Sequence, residues 1–526
     1  MSLLDDVSLM ITPNGVAEDV LFGVLPEPII GVELVTNGDF ATDSDWNGSK
    51  SISGGQLTKT TSGLAYQSGV VTEGKVYQVT VDVASLSGTA QIYAGGNNSS
   101  SLVIGVQTVY ITAGATNNFI GFNNGYVGSE GTVYNSISVK EYTSADMDFT
   151  RATTATFVNN TGIIQGTSAG IPRLDYRVSE SCPHILVEPQ RTNICLRNIT
   201  LGNATWTKQN VTVTNNSTTS PDGTVNAEKV AKDGVSADDK IEQTITISNS
   251  TEYSISAFLK NNDNPTGGKT TLAYRVSGGT LFRKGYEWTG ASLATTTTYA
   301  SGTRTNEFIE DYGNGWYRVG FSFTSDGTSG DFEIDVDRSG GTSTTSIYAW
   351  GCQLEEGGFK TSYIETSTAS VTRNGEVFER TGIADLINSA EGVLFIEMAA
   401  LADDGTHRQI SLNDGTNDNR VSIGLSNSSN IVSAQVVSGG AFQANKTNAM
   451  TQTNFNKIAL KWKANDMALW LNGSEVATDS SVTVPIGLDT LDFNRGDDAN
   501  WFFGKVRQIQ VYKTALSDTQ LGALTT

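Results

Sequence analysis

Carboxylates two residues apart on a β-strand project from one face, and Glu333-Ile334-Asp335-Val336-Asp337 has that spacing. Such a pair is the minimum a glycoside hydrolase needs, one group as nucleophile or base and the other as acid. The alternating Phe332, Ile334 and Val336 favour a plainer reading, a half-buried strand whose acidic face is solvated. His184 and His407 are the only histidines, so a histidine triad or His-rich zinc site has little to draw on. His184, between Pro183 and Ile185, reads as structural; His407, in Asp403-Asp404-Gly405-Thr406-His407-Arg408, reads as solvated.

Hard oxygen ligands gather in loops at Asp39/Asp43/Asp45, Asp403/Asp404 and Asp414/Asp418. None has EF-hand spacing. Structural calcium held by Asp39 and Asp43, or by Asp403 and Asp404, is the metal expectation, with solvated turn carboxylates as the competing role; no cofactor is required. A sugar ring would lay its apolar face on an aromatic ring while amides and carboxylates bond its hydroxyls. Of eight tryptophans, Trp316, Trp350, Trp462 and Trp470 sit inside alternating strands and read as core. Trp288 and Trp501, the latter following Asp497 and Asn500, lie beside Gly/Asn/Asp-rich turns and are the first candidates for glycan contact. Trp46, next to Asn47-Gly48, comes after them. Packing in the core competes with glycan contact at each.

The elements that must position these side chains are strands. Of 526 residues 55 are Gly, only 17% are charged, and Thr, Ser, Asn and Val crowd the sequence, which suits short strands and turns. The formal charge of -21 repels phosphate backbones and anionic lipid, so nucleic acid is not expected as a partner. No apolar run nears the 18 or so residues of a membrane-spanning helix, so membrane insertion is not expected either. Asp5 and Asp6 stand where a secretory signal carries positive charge. Cys182, Cys195 and Cys352 read as free, mostly buried thiols.

A length of 526 residues exceeds one core. Residues 1–30 are expected to form an attachment arm. Residues 31–142 alternate at period two, as in Tyr77 to Val83, with turns such as Gly95-Gly96-Asn97-Asn98, the pattern of a β-sandwich. Residues 143–192 are Pro-punctuated and read as a connector with edge strands at most. Residues 193–370 form a second sandwich, with strands at Tyr253 to Leu259, Trp316 to Phe323, Asp331 to Val336 and Ser346 to Leu354. Residues 371–526 form a third, with Val393 to Met398, Lys457 to Trp462, Ala468 to Leu471 and Lys505 to Tyr512 before a short helix around Leu516 to Leu524.

Several stretches resemble known families. Leu34-Val35-Thr36-Asn37-Gly38-Asp39-Phe40 with Trp46 resembles the opening of galactose-binding-like jelly rolls in carbohydrate-binding modules. Trp206, Ser220-Pro221-Asp222-Gly223, Gly315-Trp316-Tyr317-Arg318 and Ala349-Trp350-Gly351-Cys352-Gln353-Leu354 are similar to a series in phage structural proteins. Leu469-Trp470-Leu471-Asn472-Gly473 and Gly504 to Tyr512 resemble the laminin-G-like, concanavalin-type sandwich, with a hairpin turn at Asn472-Gly473. Phe149-Thr150-Arg151, Pro172-Arg173-Leu174-Asp175-Tyr176 and Leu186-Val187-Glu188-Pro189-Gln190-Arg191-Thr192-Asn193 resemble a framework shared by phage tail and head-fibre proteins. The first sandwich then reads as an insertion into that framework. Glu333-Ile334-Asp335 is similar to the start of a laminarinase-like signature, but Asp337 and Arg338 depart from it and no Glu follows at the acid/base position.

The expectation is therefore an all-β chain of serial β-sandwiches, two jelly-roll or galactose-binding-like and one concanavalin A or laminin-G-like. The resemblances imply a non-enzymatic surface protein of a bacteriophage particle, a fibre or decoration protein that adheres to host-surface glycans or extracellular polysaccharide. They further imply contacts to other virion proteins through the arm and a homo-oligomer, with a trimer favoured. A purely structural capsid or tail component fits the framework residues equally, and a polysaccharide depolymerase remains the third reading.

Overall fold

Period-two alternation becomes strands throughout. The computed structural model describes residues 3–13, 15–17, 19–21, 29–123, 130–143, 146–176, 182–234, 238–338 and 345–526. Among them the only helices are Leu3–Asp6, the one-turn Ala384–Leu386 and Asp518–Thr525, and none is long and apolar enough to cross a membrane. The last begins at Ser517 with a capping box to Gln520, which satisfies orphan N–H groups at its start.

The chain divides into two units, Leu25–Ala145 and the combination of Met1–Val24 with Asp146–Thr526. The smaller unit has a sheet built on Val76–Ser85 and Val133–Thr143 and a second containing Gln91–Ala94 and Ile120–Asn123. Along Val76–Ser85, residues alternate between buried and half-buried, the signature of a sheet with one face on the core. Trp46 is in that core, stacked on Phe122 at 5.6 Å and edge-on to Phe40 at 5.5 Å.

In the larger unit, residues 207–356 form a sandwich of two six-stranded antiparallel sheets. Phe332, Ile334 and Val336 point into its core with Trp206, Trp288, Phe321 and Phe323. The remainder is a sandwich of an eight-stranded and a nine-stranded sheet. In the eight-stranded sheet, Glu391–Ala400 is flanked by Asn456–Lys463 and Gly504–Tyr512. Both faces of Glu391–Ala400 are covered, one by strand Arg420–Leu425 of the other sheet and one by Leu516 and Leu521 of the C-terminal helix region, so the strand is apolar almost throughout. The hairpin after Met467–Leu471 turns on Asn472 (φ 47°) and Gly473 (φ 85°), where two successive left-handed residues match the twist of the strands.

Two expected segments contribute strands to the larger unit. In the segment expected as an attachment arm, Val7–Ile11 pairs with Gly504–Tyr512, and Val20–Leu21 pairs with Met147–Thr150. Burial drives this, since Leu9, Ile11 and Leu21 are completely enclosed. Residues 1, 2, 14, 18 and 22–28 of the expected arm lie outside the described residues. Residues 143–192 are likewise more than a connector, because Met147–Thr150 joins the nine-stranded sheet and His184–Val187 the eight-stranded one. Their prolines fall outside these strands, so the ladders are not interrupted.

The framework motifs meet in a buried ion network. Glu376 accepts hydrogen bonds from Arg151 Nη1 (2.8 Å) and from Arg173 Nε and Nη2 (2.7 and 2.6 Å). Glu188 lies 2.8 Å from Arg173 and 2.7 Å from Arg373. Burial alone would raise the Glu188 carboxyl, but Arg373, Arg173 and the Ser362 hydroxyl together hold it well below the usual carboxylate range. His184 is buried against Phe455, with Nε2 3.4 Å from Asp175, a structural placement.

Candidate functional site

In the nine-stranded sheet, Val421, Ile423 and Leu425 on Arg420–Leu425 are completely buried, as are Val432, Ala434 and Val436 on Ile431–Ser438. Alternation then sends Arg420, Ser422, Gly424, Ser433 and Gln435 to the opposite face. Register aligns them in rows: Gly424, Ser433 and Thr447; Ser422, Gln435 and Asn445; Arg420, Val437 and Phe442. Arg420, Ser422, Ser433 and Gln435 are nevertheless buried, so neighbouring segments cover much of this polar face.

Loops raise walls around that face. His407 enters from the segment before Arg408–Asn413, Asn427 from the turn after Leu425, and Arg495 and Asn500 from the loop before Gly504–Tyr512. The result is an open cleft of about 260 Å³ lined by these residues together with Arg420, Gln435, Phe442 and Asn445. The loop is pinned by Phe502, which is fully buried and edge-on to Phe493. Gly496 (φ 92°) lets it pass Thr416, where a Cβ would come within 2.6 Å of the carbonyl oxygen. Gly424 keeps the floor open, since a Cβ there would lie 2.6 Å from the Arg408 carbonyl oxygen and 3.3 Å from His407 Nε2.

Phe442 is 60% exposed, and Arg420 lies under its ring at 5.5 Å from the centroid. Arg420 itself is only 4% exposed. Its Nη2 donates to Gln435 Oε1 at 3.2 Å and its Nη1 to the Asn417 carbonyl, while Nε has no partner among the described residues. Burial, then the nearby Arg495, push its pKa down to about 10. Arg495 is oriented by two bonds to Asp497 (2.9 and 2.6 Å), which raise the guanidinium pKa and hold Asp497 down to about 2. His407 sits 3.4 Å from Ser433 Oγ, and burial followed by Arg420 and Arg495 lowers its pKa, favouring the neutral imidazole. Among the described residues no carboxylate lines the cleft. An aromatic face, amides, hydroxyls and guanidinium donors suit binding a polar ring; they supply no carboxylate pair for glycoside hydrolysis.

The expected residues fall on both sides of this result. Asn500 lines the cleft and Asp497 steers Arg495; Trp501 is half-buried beside them and is not part of the lining. Trp288 is corrected to core: it is fully enclosed, its Nε1 donates to Thr270 Oγ1 at 2.8 Å, and its hairpin folds it inward. Trp46 is corrected in the same way, with Nε1 on the Asn37 carbonyl at 3.1 Å. His407, expected in solvent, is half-buried in the cleft wall. The Glu333 face is also not solvated, because Lys240 and Arg275 each lie 2.7 Å from its carboxylate, and Arg338 pairs with Asp335. In the only three-residue carboxylate cluster found among the described residues, Lys240 pairs with Glu242 and Glu333, Arg275 pairs with Glu333, and Asp331 accepts from Thr244 Oγ1 at 2.6 Å. Asp404 is bound by Arg408, Asp403 by Gln452 and Ser429, and Asp43 by Lys50; Asp39 Oδ1 accepts the Ala41 amide at 3.3 Å. These bonds engage both oxygens of Asp403 and Asp404 and one oxygen each of Asp39 and Asp43. Phe442, Arg420, Gln435 and Asn445 were not singled out from the sequence. The available signal was Arg420-Val421-Ser422-Ile423-Gly424-Leu425, whose polar set faces away from the apolar one.

Residues 395–522 match the family model described as the concanavalin A-like lectin/glucanases superfamily. The C-terminal sandwich is concanavalin A-like. The match spans about a quarter of the chain and contains every residue that lines the cleft. No curated protein matches the chain. Among solved structures, the carbohydrate-binding module CBM40 of Ruminococcus gnavus IT-sialidase bound to α2,3-sialyllactose is similar at 22% identity, covering 27% of this chain and 86% of that one with a TM-score of 0.24. The same module alone gives 20% identity, 28% and 98% coverage and a TM-score of 0.24. A leech intramolecular trans-sialidase complexed with 2,7-anhydro-Neu5Ac gives 22% identity, 26% and 23% coverage and a TM-score of 0.23. At these scores the likeness carries no functional weight.

Proposed function

We propose that this chain is a non-enzymatic glycan-binding protein, that it is carried on the surface of a bacteriophage particle, and that the cleft of its concanavalin A-like domain holds host-surface saccharide. The exposed Phe442 ring above a floor of amides, hydroxyls and guanidinium groups carries the reading, because it pairs an apolar platform with convergent hydrogen-bonding groups. The matched superfamily, described as lectins and glucanases, supports it, and the absence of carboxylates from the described lining favours the lectin side. The particle placement rests on the framework motifs around Arg151, Arg173 and Glu188 and their resemblance to phage fibre proteins. Copies on a particle, in an oligomer for which we favour a trimer, would convert weak single contacts into avidity. The test is binding of the full chain to a glycan array and to host cells beside Phe442→Ala. Binding by the natural chain that is lost in the variant supports the reading. Absence of binding by both points to a purely structural particle component.

A further inference from the structure

We propose that the cleft selects acidic saccharides, taking a sugar carboxylate on the guanidinium groups of Arg420 and Arg495 while Phe442 covers the ring; this rests on the glycan-binding reading above. The chain as a whole carries a formal charge of -21, yet the described lining holds two arginines and no carboxylate. The acidic surface repels an anion at long range, a force that salt screens beyond about 8–10 Å, so close approach is decided by Arg420 and Arg495, of which Arg495 is already paired with Asp497.

Arg420 is the unusual member. The buried arginines Arg151, Arg173, Arg373 and Arg408 each have a carboxylate within 2.9 Å. Arg318, also buried, has no ion pair among the described residues, but it donates to the Thr361 carbonyl and Ser256 Oγ and is not in the cleft lining. Arg420 is buried to a similar degree, opens on the cleft, and makes neutral bonds only, to Gln435 and the Asn417 carbonyl. Its Nε is buried without a described partner, as are those of Arg318, Arg373 and Arg408, so the distinction lies in the missing carboxylate and the opening on the cleft. Burial, then the nearby Arg495, lower its pKa against the opposing pull of Asp497 and Asp418, and a bound anion would add to that pull.

Geometry supplies the rest of the recognition. The two bonds to Asp497 use Nε and Nη2 of Arg495, which fixes the plane of its guanidinium and leaves Nη1 outside that pair. A planar guanidinium matches a carboxylate in a way an ammonium does not. Phe442 packs on Arg420 and is itself exposed, so one ring both orients the cation and offers a face to the sugar. Gln435, Asn445 and Thr447 stand in adjacent register rows to bond hydroxyls.

The experiment measures binding of the full chain to matched probes: sialyllactose against its carboxylate methyl ester, and oligogalacturonate against its methyl ester. Each pair differs in its carboxylate, and the two pairs separate a sialic from a uronic source. The expected result is preference for the acidic member of at least one pair, with Arg420→Gln and Arg495→Gln each weakening only that member about 10- to 100-fold, the loss expected for a charge-assisted bond. Arg495 is more exposed than Arg420, so its variant keeps the test informative if Arg420→Gln fails to fold. On the natural chain, raising NaCl from 50 to 500 mM should weaken the acidic probe and spare the neutral one. Equal binding of both members, abolished by Phe442→Ala, would overturn the acidic preference and leave glycan binding intact. No binding of any probe by the natural chain, on these pairs or on the array, would remove both.

Discussion

Glu376→Gln is a one-atom change at the centre of the buried network, and it should unfold the larger unit at markedly lower denaturant. The carboxylate is fully enclosed and accepts four hydrogen bonds: Arg151 Nη1 and Arg173 Nε on Oε1, Arg173 Nη2 and the Glu188 amide on Oε2, the last at 3.0 Å. A glutamine keeps one acceptor oxygen but turns an NH₂ toward groups that are themselves donors. Two buried guanidinium groups also lose the charge they share, and removing one partner of a buried pair costs about 3–5 kcal/mol. One carboxylate serves two arginines here, so the upper half of that range is expected, roughly a thousandfold in the unfolding constant. Urea unfolding followed by tryptophan fluorescence reports the right unit, since seven of the eight tryptophans lie in residues 146–526. Arg380→Gln is the control: its pair with Asp148 is long, at 3.6 Å, and partly exposed, so the loss should stay within about 1 kcal/mol. A midpoint for Glu376→Gln no lower than that of the control would refute the claim that this network holds the framework segments together.

Three more outcomes follow from the same geometry. Trp288→Ala should cost about 3–5 kcal/mol by emptying a core position and leave glycan binding by the folded fraction unchanged, whereas Phe442→Ala should barely move the melting temperature and abolish binding; thermal melts beside a binding assay separate the two. Burial, followed by the Glu379 and Asp498 charges, pushes the Asp492 carboxyl up to about 6. Its folded pKa is raised, so its contribution is fully present below the ordinary value of 3.8 and lost as pH rises through about 6; Asp492→Asn should remove that loss and gain about 1–3 kcal/mol at pH 8, with little gain at pH 4, in urea titrations at both pH values. Gly424→Ala should weaken both folding and glycan binding, because the added carbon meets the Arg408 backbone at 2.6 Å and His407 at 3.3 Å; calorimetric titration with the best array glycan checks it.

Strands were legible wherever one face met a core. Val393 to Met398, Ser346 to Leu354 and the Asn472-Gly473 turn stand where alternation and turn chemistry put them, because each signal is local. The role of residues 1–30 and 143–192 was not local. Val7–Ile11 reads as an isolated apolar run, and only its partner Gly504–Tyr512, some five hundred residues away, makes it a strand of the third sandwich. Arg151, Arg173 and Glu188 stood in the framework motifs and Arg373 and Glu376 did not, and nothing in their spacing says that three arginines share two glutamates in a space that excludes water.

The site was harder for a reason of register. A tryptophan beside a turn is inward or outward according to strand phase, and Trp288 sits in phase with the core residues Phe282 and Tyr286, so its turn-rich surroundings misled. Asn500 and Asp497 were recognisable because an aromatic next to an Asn/Asp-rich loop is a local sign of a binding rim, yet the floor beneath them is assembled from three strands. Arg420, Gln435 and Asn445 are only fifteen and ten residues apart in sequence, spacings that by themselves carry no chemistry. Pairing Ser422 with Gln435 and Gln435 with Asn445 puts Gln435 and Asn445 in one row beside that of Arg420, and the bulge at Val436/Val437 brings Phe442 opposite Val437 and beside Arg420. A slip of one residue in either hairpin would turn that polar row into the core and the core into solvent. The buried Val421, Ile423, Val432 and Ala434 forbid the slip, so the same apolar residues that make the fold legible also fix the cleft that was not.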